Sequence, residues 1–298
     1  MKVLVVGGTG FVGTHLCNEL VVKNEVTVVS KYPHKFCAEI DGVTYHYDDW
    51  KSLNYKSFLA GKDFDKVLMV GWSDHPRLSN LNLLHSFESN VSPTIQLIDN
   101  VINGSFADLY FLSSFGALPS LVGGFSKQCI SGYAASKFSV EAHLEAYCNF
   151  YNRNATSFRI SNPYGLYQDY LGSQGVIPII IYKALKLQSI QIFNGVEVTK
   201  DYIHMANAAK KMVDCISSDN SIGYSLVPIT SGQNFSVLDI LAHIGLQIPI
   251  LELVPIEFRS KIINHFQKIE NMLSYSIEHK LLKSSVSDII LWIKGEIS

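Results

Sequence analysis

The chain has 298 residues, 47% of them apolar and 17% charged, with a formal net charge of −2. That length can bury one large domain or two closely joined lobes, and the near-neutral balance gives no support to a nucleic-acid or polyanion partner. Five cysteines, at 17, 37, 129, 148 and 215, form no C-x-x-C pair and no histidine cluster has ligand spacing, so reduced thiols, a cytoplasmic location and no bound metal are expected.

Val3-Leu4-Val5-Val6 is a continuous aliphatic run, the mark of a strand buried on both faces. It is too short for a signal peptide, and no later run reaches membrane-spanning length. The run breaks at Gly7-Gly8-Thr9-Gly10-Phe11-Val12-Gly13, and helical spacing follows through Leu16 and Leu20. Strand, glycine-rich turn and helix in that order form the context of a dinucleotide-binding fingerprint. Gly7 allows the tight turn, Gly10 lets a pyrophosphate approach the N–H groups at the helix start, and Gly13 lets the helix pack on the strand. Thr9, Phe11 and Val12 complete this cofactor turn.

Glu25–Ser30 reads as the second strand, and its end bears on cofactor choice. An Asp or Glu there would accept from the adenosine ribose hydroxyls and repel a 2′-phosphate. This chain has Ser30-Lys31, with Lys35 nearby, and a hydroxyl and an ammonium suit a phosphate. NADP(H) is therefore expected over NAD(H). Val43–Tyr47 is a third strand; Asp48, at its exit, could meet the adenine amino group, although two acids in a loop are also simply solvated. Lys66–Gly71 is a fourth strand whose exit, Gly71-Trp72-Ser73, would pass beneath the cofactor. A long helix is expected from about Leu78 to Asn103, carrying Asn90 and Thr94.

Asp108–Leu112 is a fifth strand ending in Ser113-Ser114. Hydroxyls at the carboxyl end of a central strand sit where open α/β sheets bind ligands. A loop over Phe115–Ile130 leads to a helix that runs to about Asn152. On it Tyr133 and Lys137 are four residues apart and share a face. A phenol has a pKa near ~10, and an ammonium one turn away lowers it. A tyrosine so tuned can exchange a proton with a carbinol oxygen. Ala155–Ser161 is a sixth strand, with Ile160 on the cofactor side, leading to Asn162-Pro163-Tyr164-Gly165.

After Gly165 the pattern changes to a polar loop, a helix over Ile177–Leu187, short strands at Ile190–Phe193 and Lys200–Ile203, a helix over 204–217, and a last strand at Gly223–Pro228. The expected fold is α/β. A Rossmann-type doubly wound parallel sheet occupies 1–164 with about 201–228. A smaller, mostly C-terminal substrate-binding lobe takes 165–200 and 229–298.

The motifs together resemble the extended short-chain dehydrogenase/reductase family, the branch of sugar-nucleotide epimerases, dehydratases and reductases. They are Gly7–Gly13, Asn90 with Thr94, Ser113-Ser114, Tyr133-x-x-x-Lys137, Arg159-x-x-Asn162-Pro163-x-Gly165, Val176-Ile177-Pro178 and Asp201-Tyr202-Ile203-His204. The resemblance implies that Tyr133 is the acid/base. It makes Lys137 the residue that holds the nicotinamide ribose and depresses the Tyr133 pKa, and gives Ser114 a hydrogen bond to the reacting sugar oxygen. Asn90 would support the Tyr–Lys relay through water. Ser113 and Asn162 would lie against the substrate, Asn162 on its diphosphate, and Val176 and Phe193 would pack around the nucleotide base. Lys200 stands where the family usually has an Arg on the diphosphate, which keeps the charge and loses the two-pronged geometry.

Departures from the family pattern narrow the chemistry. Ser114 is followed by Phe115-Gly116, not by the Asp-Glu pair that dehydratases use, and Gly116 stands where a Cys would support ring epimerisation. The expected activity is NADPH-dependent reduction of a nucleotide-diphosphate 4-keto-6-deoxy sugar, a step of deoxysugar biosynthesis. The alternative is an NAD-dependent nucleotide-sugar 4-epimerase. A homodimer is expected through the helices around 78–103 and 131–152, with no membrane partner.

Overall fold

The computed structural model describes residues 1–74, 76–104, 107–115, 131–192, 195–218, 222–274 and 276–297. In chain order the strands are β1 (Lys2–Val6), β2 (Glu25–Ser30), β3 (Val43–Tyr47), β4 (Lys66–Met69), β5 (Asp108–Ser114), β6 (Ala155–Ile160), β7 (Asn162–Tyr164), β8 (Thr199–His204), β9 (Tyr224–Ile229) and β10 (Asn234–Ser236). The helices are α1 (Phe11–Leu20), α2 (Tyr55–Leu59), α3 (Pro76–Leu81), α4 (Leu83–Ser86), α5 (Ser92–Gly104), α6 (Gly132–Tyr151), α7 (Val176–Leu185), α8 (Met205–Ser218), α9 (Val237–Gly245), α10 (Ile256–Leu273) and α11 (Ile277–Ile297). The chain divides into two compact units, Met1–Ser161 with Ala206–Ile229, and Asn162–Met205 with Thr230–Ser298.

In the first unit seven strands form one sheet in the order β3-β2-β1-β4-β5-β6-β9. Every pairing is parallel. The chain works outward from β1 to β3, then returns to β4 on the other side of β1. That reversal is the switch point at which open parallel sheets bind ligands, outside the carboxyl ends of the strands. The two-face burial read from Val3–Val6 holds, since each is at most 1% exposed. On one face Leu4, Val6, Val67 and Met69 pack with Leu97, Ile98, Val101 and Leu144 from α5 and α6. Each such side chain contributes roughly 2 kcal/mol of transfer free energy.

The helix expected over 78–103 is broken. The Asn82 side chain accepts from the His85 N–H at 3.0 Å and starts α4 afresh. The backbone then widens into a π-helical turn over Phe87–Val91 before α5 begins. Single π turns of this kind gather at functional sites, and this one carries Asn90. Helix α6 is continuous. Ser131 caps it by accepting from the Ala134 N–H at 3.1 Å, and Asn152, left-handed at φ 52°, ends it.

In the second unit β10, β8 and β7 form a three-stranded sheet accompanied by α7 and α9–α11. The strand expected at 190–193 is absent over its described part, 190–192. There the Ile190 N–H goes to the Leu253 carbonyl at 2.7 Å instead of to a neighbouring strand.

Candidate active site

The glycine turn lies at the switch point. Gly7 has φ +85°, and a Cβ there would come within 2.4 Å of the Gly71 Cα, so the exits of β1 and β4 touch backbone to backbone. A Cβ on Gly13 would lie 2.4 Å from the Gly7 carbonyl oxygen, the close helix–strand approach that the spacing implies. Gly10 is exposed and caps α1 with no side-chain hydrogen bond, and the first turn of α1 carries no acid. The nearest atom to a Cβ on Gly10 would be the Gly7 carbonyl oxygen at 3.6 Å. N–H groups of the first helical turn are thus open to an anion, and the cradle fits a dinucleotide pyrophosphate. Phe11 and Val12 open that turn. Thr9 instead ties it down, its N–H donating to the Ser30 Oγ at 3.2 Å and its hydroxyl to the Tyr32 carbonyl at 2.8 Å.

Ser30 is therefore buried beneath the turn, 3% exposed, with its hydroxyl engaged by Thr9. Lys31 reaches the rim and pairs with Asp49, Nζ to Oδ2 at 2.9 Å. The pairing raises the Lys31 pKa and lowers that of Asp49. Asp48 is exposed; its N–H donates to the Ser30 carbonyl at 3.0 Å, and its carboxylate accepts the Asp49 N–H at 2.8 Å.

The other end of the crevice is buried. Ser114 closes β5 and hydrogen-bonds Tyr133 on α6. Part of the Tyr133 side chain reaches solvent, but its hydroxyl lies deep. Burial pushes the phenol up to about 12, against the Ser114 hydrogen bond, which pulls it down. Lys137 is 2% exposed and donates to the Leu112 carbonyl at 2.6 Å. Its ammonium nitrogen stands 3.7 Å from the Trp72 ring centroid, 4.7 Å from that of Phe111 and 5.8 Å from that of Tyr133. Burial drives the Lys137 pKa well below the ordinary lysine value, opposed by the charge of Glu141. The expected depression of the Tyr133 pKa by Lys137 is corrected here: burial dominates at both groups and favours the neutral form of each.

Asn90 is fully buried and hydrogen-bonded on both sides of its amide. Its oxygen accepts from the Ser73 N–H at 2.8 Å and the Ser73 hydroxyl at 3.0 Å. Its nitrogen donates to Asp74 and to the Ser86 carbonyl, both at 3.1 Å. It thereby pins the exit of β4 below the crevice. Trp72, on that exit, packs edge-on to Tyr133, and its buried indole N–H has no partner among the described residues. Ser113 is 1% exposed, and its hydroxyl also has no partner among the described residues. Ile160, 5% exposed, ends β6 and accepts the Phe115 N–H at 2.7 Å.

Of the sequence-predicted substrate residues, Ser113 and Ser114 lie in the first unit, and Asn162, Val176 and Lys200 in the second. Asn162 lies on β7 and donates to the Asp201 carbonyl at 2.8 Å, Val176 opens α7, and Lys200 is exposed on β8 opposite Phe235. Phe193 and Gly116 lie outside the described residues.

A model of the NAD dependent epimerase/dehydratase family matches residues 3–223. The chain belongs to this family. It is an enzyme of the extended short-chain dehydrogenase/reductase type. It is 29% identical over 255 residues to a putative UDP-glucose 4-epimerase of Methanocaldococcus jannaschii, covering 81% of each chain. Over 227 residues it is 27% identical to dTDP-4-dehydro-6-deoxyglucose reductase of Escherichia coli, covering 69% of each. The UDP-glucose 4-epimerase of Thermus thermophilus, solved with NAD, shares the fold with a TM-score of 0.73 at 20% identity, over 97% of this chain and 99% of that one.

The sequence motif contains Arg159 but gives no sign of its partner, Glu141. Arg159 on β6 grips Glu141 with two bonds, at 3.0 and 2.7 Å, both side chains being largely buried. Tyr133, Lys137 and Glu141 recur every four residues along α6, so an acid one further turn along the same face was the available signal. Glu141 supplies the negative charge that opposes neutralisation of Lys137.

Proposed function

We propose that the protein is an NADPH-dependent reductase of a nucleotide-diphosphate 4-keto-6-deoxy sugar, with Tyr133 as proton donor. The observation that carries this reading is a phenol held protonated by burial and hydrogen-bonded to Ser114 at the carboxyl end of β5. When bound, the reduced nicotinamide supplies the hydride to the sugar C4. Ser114 hydrogen-bonds the carbonyl oxygen and stabilises the charge that grows there. Tyr133 transfers its proton to that oxygen, leaving an alcohol and a phenolate that takes a proton back from solvent. Gly7, Thr9, Gly10, Phe11, Val12 and Gly13 form the pyrophosphate turn, with Gly71, Trp72 and Ile160 beneath the cofactor. Lys137 orients the nicotinamide ribose, and Asn90 holds the β4 exit on which this end of the crevice rests. Lys31, with no acid at the end of β2, supports NADP(H), and Asp48 is assigned to the adenine. Ser113, Asn162, Val176, Phe193 and Lys200 are assigned to the substrate.

The second reading, a 4-epimerase, is favoured by the 29% identity to a relative of that name. It uses the same tyrosine in both directions. The purified protein should consume NADPH in step with alcohol formation from dTDP-4-keto-6-deoxyglucose. Interconversion of two UDP-sugars by protein that arrives with NAD already bound, and with no NADPH consumption, would replace the reductase with the epimerase.

Two copies are proposed to pair through α3–α6. Leu81, Leu83 and Leu84 are more than 60% exposed there, whereas Leu97 on α5 and Leu144 on α6 are fully buried in the core. A monomer by sedimentation at micromolar concentration would contradict the pairing. Among the described residues no helix is long and apolar enough to cross a membrane, and no group of ligating side chains could hold a metal ion.

A further inference from the structure

The end of β2 lacks an acid in sequence but not in space. Asp49, from the exit of β3, carries its carboxylate to Lys31 at 2.9 Å. It is held there from its own side. Its Oδ1 accepts the Lys51 N–H at 3.2 Å, and its carbonyl accepts the Ser52 N–H at 3.0 Å. The neighbouring backbone ties the two exits together, since the Asp48 N–H donates to the Ser30 carbonyl. Ser30 in turn receives the Thr9 N–H of the glycine turn. Asp49 is therefore held in place on the rim where a parallel sheet of this kind reads the adenosine ribose, with Lys31 paired to it.

We infer that Asp49 is the cofactor-selectivity residue of this protein: it supplies from β3 the carboxylate that β2 lacks, and it competes with a 2′-phosphate for Lys31. The inference rests on the reading of this rim as the adenosine end of a dinucleotide site, and it qualifies the NADPH preference expected from Ser30-Lys31 alone. The pair is solvent-exposed, with half of the Lys31 side chain accessible. Exposed pairs are weak and separate readily. A 2′-phosphate draws Lys31 away from Asp49 and then meets the remaining carboxylate as a like charge. A 2′-hydroxyl finds in Asp49 an acceptor and leaves the pair intact. The rim thus accepts both cofactors, with only a modest preference for NADPH.

The test is binding, independent of turnover. Purified wild-type protein, Asp49→Asn and Lys31→Gln are each titrated with NADPH and with NADH, following the fluorescence of the reduced nicotinamide. Asparagine keeps the oxygen that accepts from Lys51, so the β3 exit is preserved. Asp49→Asn should tighten NADPH by roughly tenfold, with NADH unchanged or weaker, because one like charge leaves the phosphate site. Lys31→Gln should weaken NADPH by a similar factor and spare NADH. An unchanged NADPH/NADH ratio in Asp49→Asn, with both nucleotides still bound, would overturn the role of Asp49 alone. Failure of folded wild-type protein to bind either nucleotide would overturn the dinucleotide reading beneath it.

Discussion

Two lysines mark the two ends of the proposed cofactor crevice, and their surroundings are opposite. Lys31 stands in solvent on the rim, paired with a carboxylate that raises its pKa. Lys137 is buried under an indole, close to a phenyl ring and bonded to a carbonyl, and burial lowers its pKa. Surface charge of the first kind selects among ligands and gives way to salt. A hydrogen-bonding group withheld from water, as at Lys137, counts for far more once a ligand completes its shell. In the proposed reading the rim governs which cofactor binds, and the buried end governs what happens to the proton.

The largest effects are expected at the buried end. Tyr133→Phe removes the transferable proton and should lower kcat about a thousandfold while NADPH binding persists; unchanged turnover would sink the acid assignment. Ser114→Ala removes one donor to the carbonyl oxygen and should lower kcat by about a hundredfold with KM little changed. A rise in KM alone would make Ser114 a binding residue. Ketone reduction needs Tyr133 protonated. With the phenol raised to about 12, the rate attributable to this group stays level from neutral to moderately alkaline pH and falls only as the raised pKa is approached. Oxidation of the alcohol needs the phenolate and should climb with pH over the same range. At the rim the effect is smallest: added salt should weaken NADPH binding more than NADH binding and leave kcat at saturating cofactor unchanged.

The central sheet was legible because buried parallel strands are written as short apolar runs rich in β-branched residues: Val3–Val6 carries that signal without interruption, and Val26–Val29 carries it with only Thr27 between. The glycine turn was legible because its steric demands are local: Gly7 and Gly13 sit where a Cβ would strike backbone. What spacing could not show was environment. Tyr133 and Lys137 do share a face of α6, but whether the lysine acts as a charge depends on Trp72, Phe111 and Leu112, which come from β5 and the exit of β4. Asp49 was hidden for the same reason. Its partner is 18 residues away, just past the end of another strand, and only the β2–β3 register brings the two exits together. The break in the 78–103 helix was likewise written in Asn82, whose capping role depends on a turn that periodicity does not register.

Tyr133 waits as a neutral acid in the proposed reaction. Difference absorbance between wild-type protein and Tyr133→Phe, titrated without cofactor from neutral to alkaline pH, isolates the ionisation of this one phenol. The account predicts that Tyr133 remains protonated well above the ordinary tyrosine pKa of ~10, toward about 12. A Tyr133 phenolate already formed near neutral pH would contradict it.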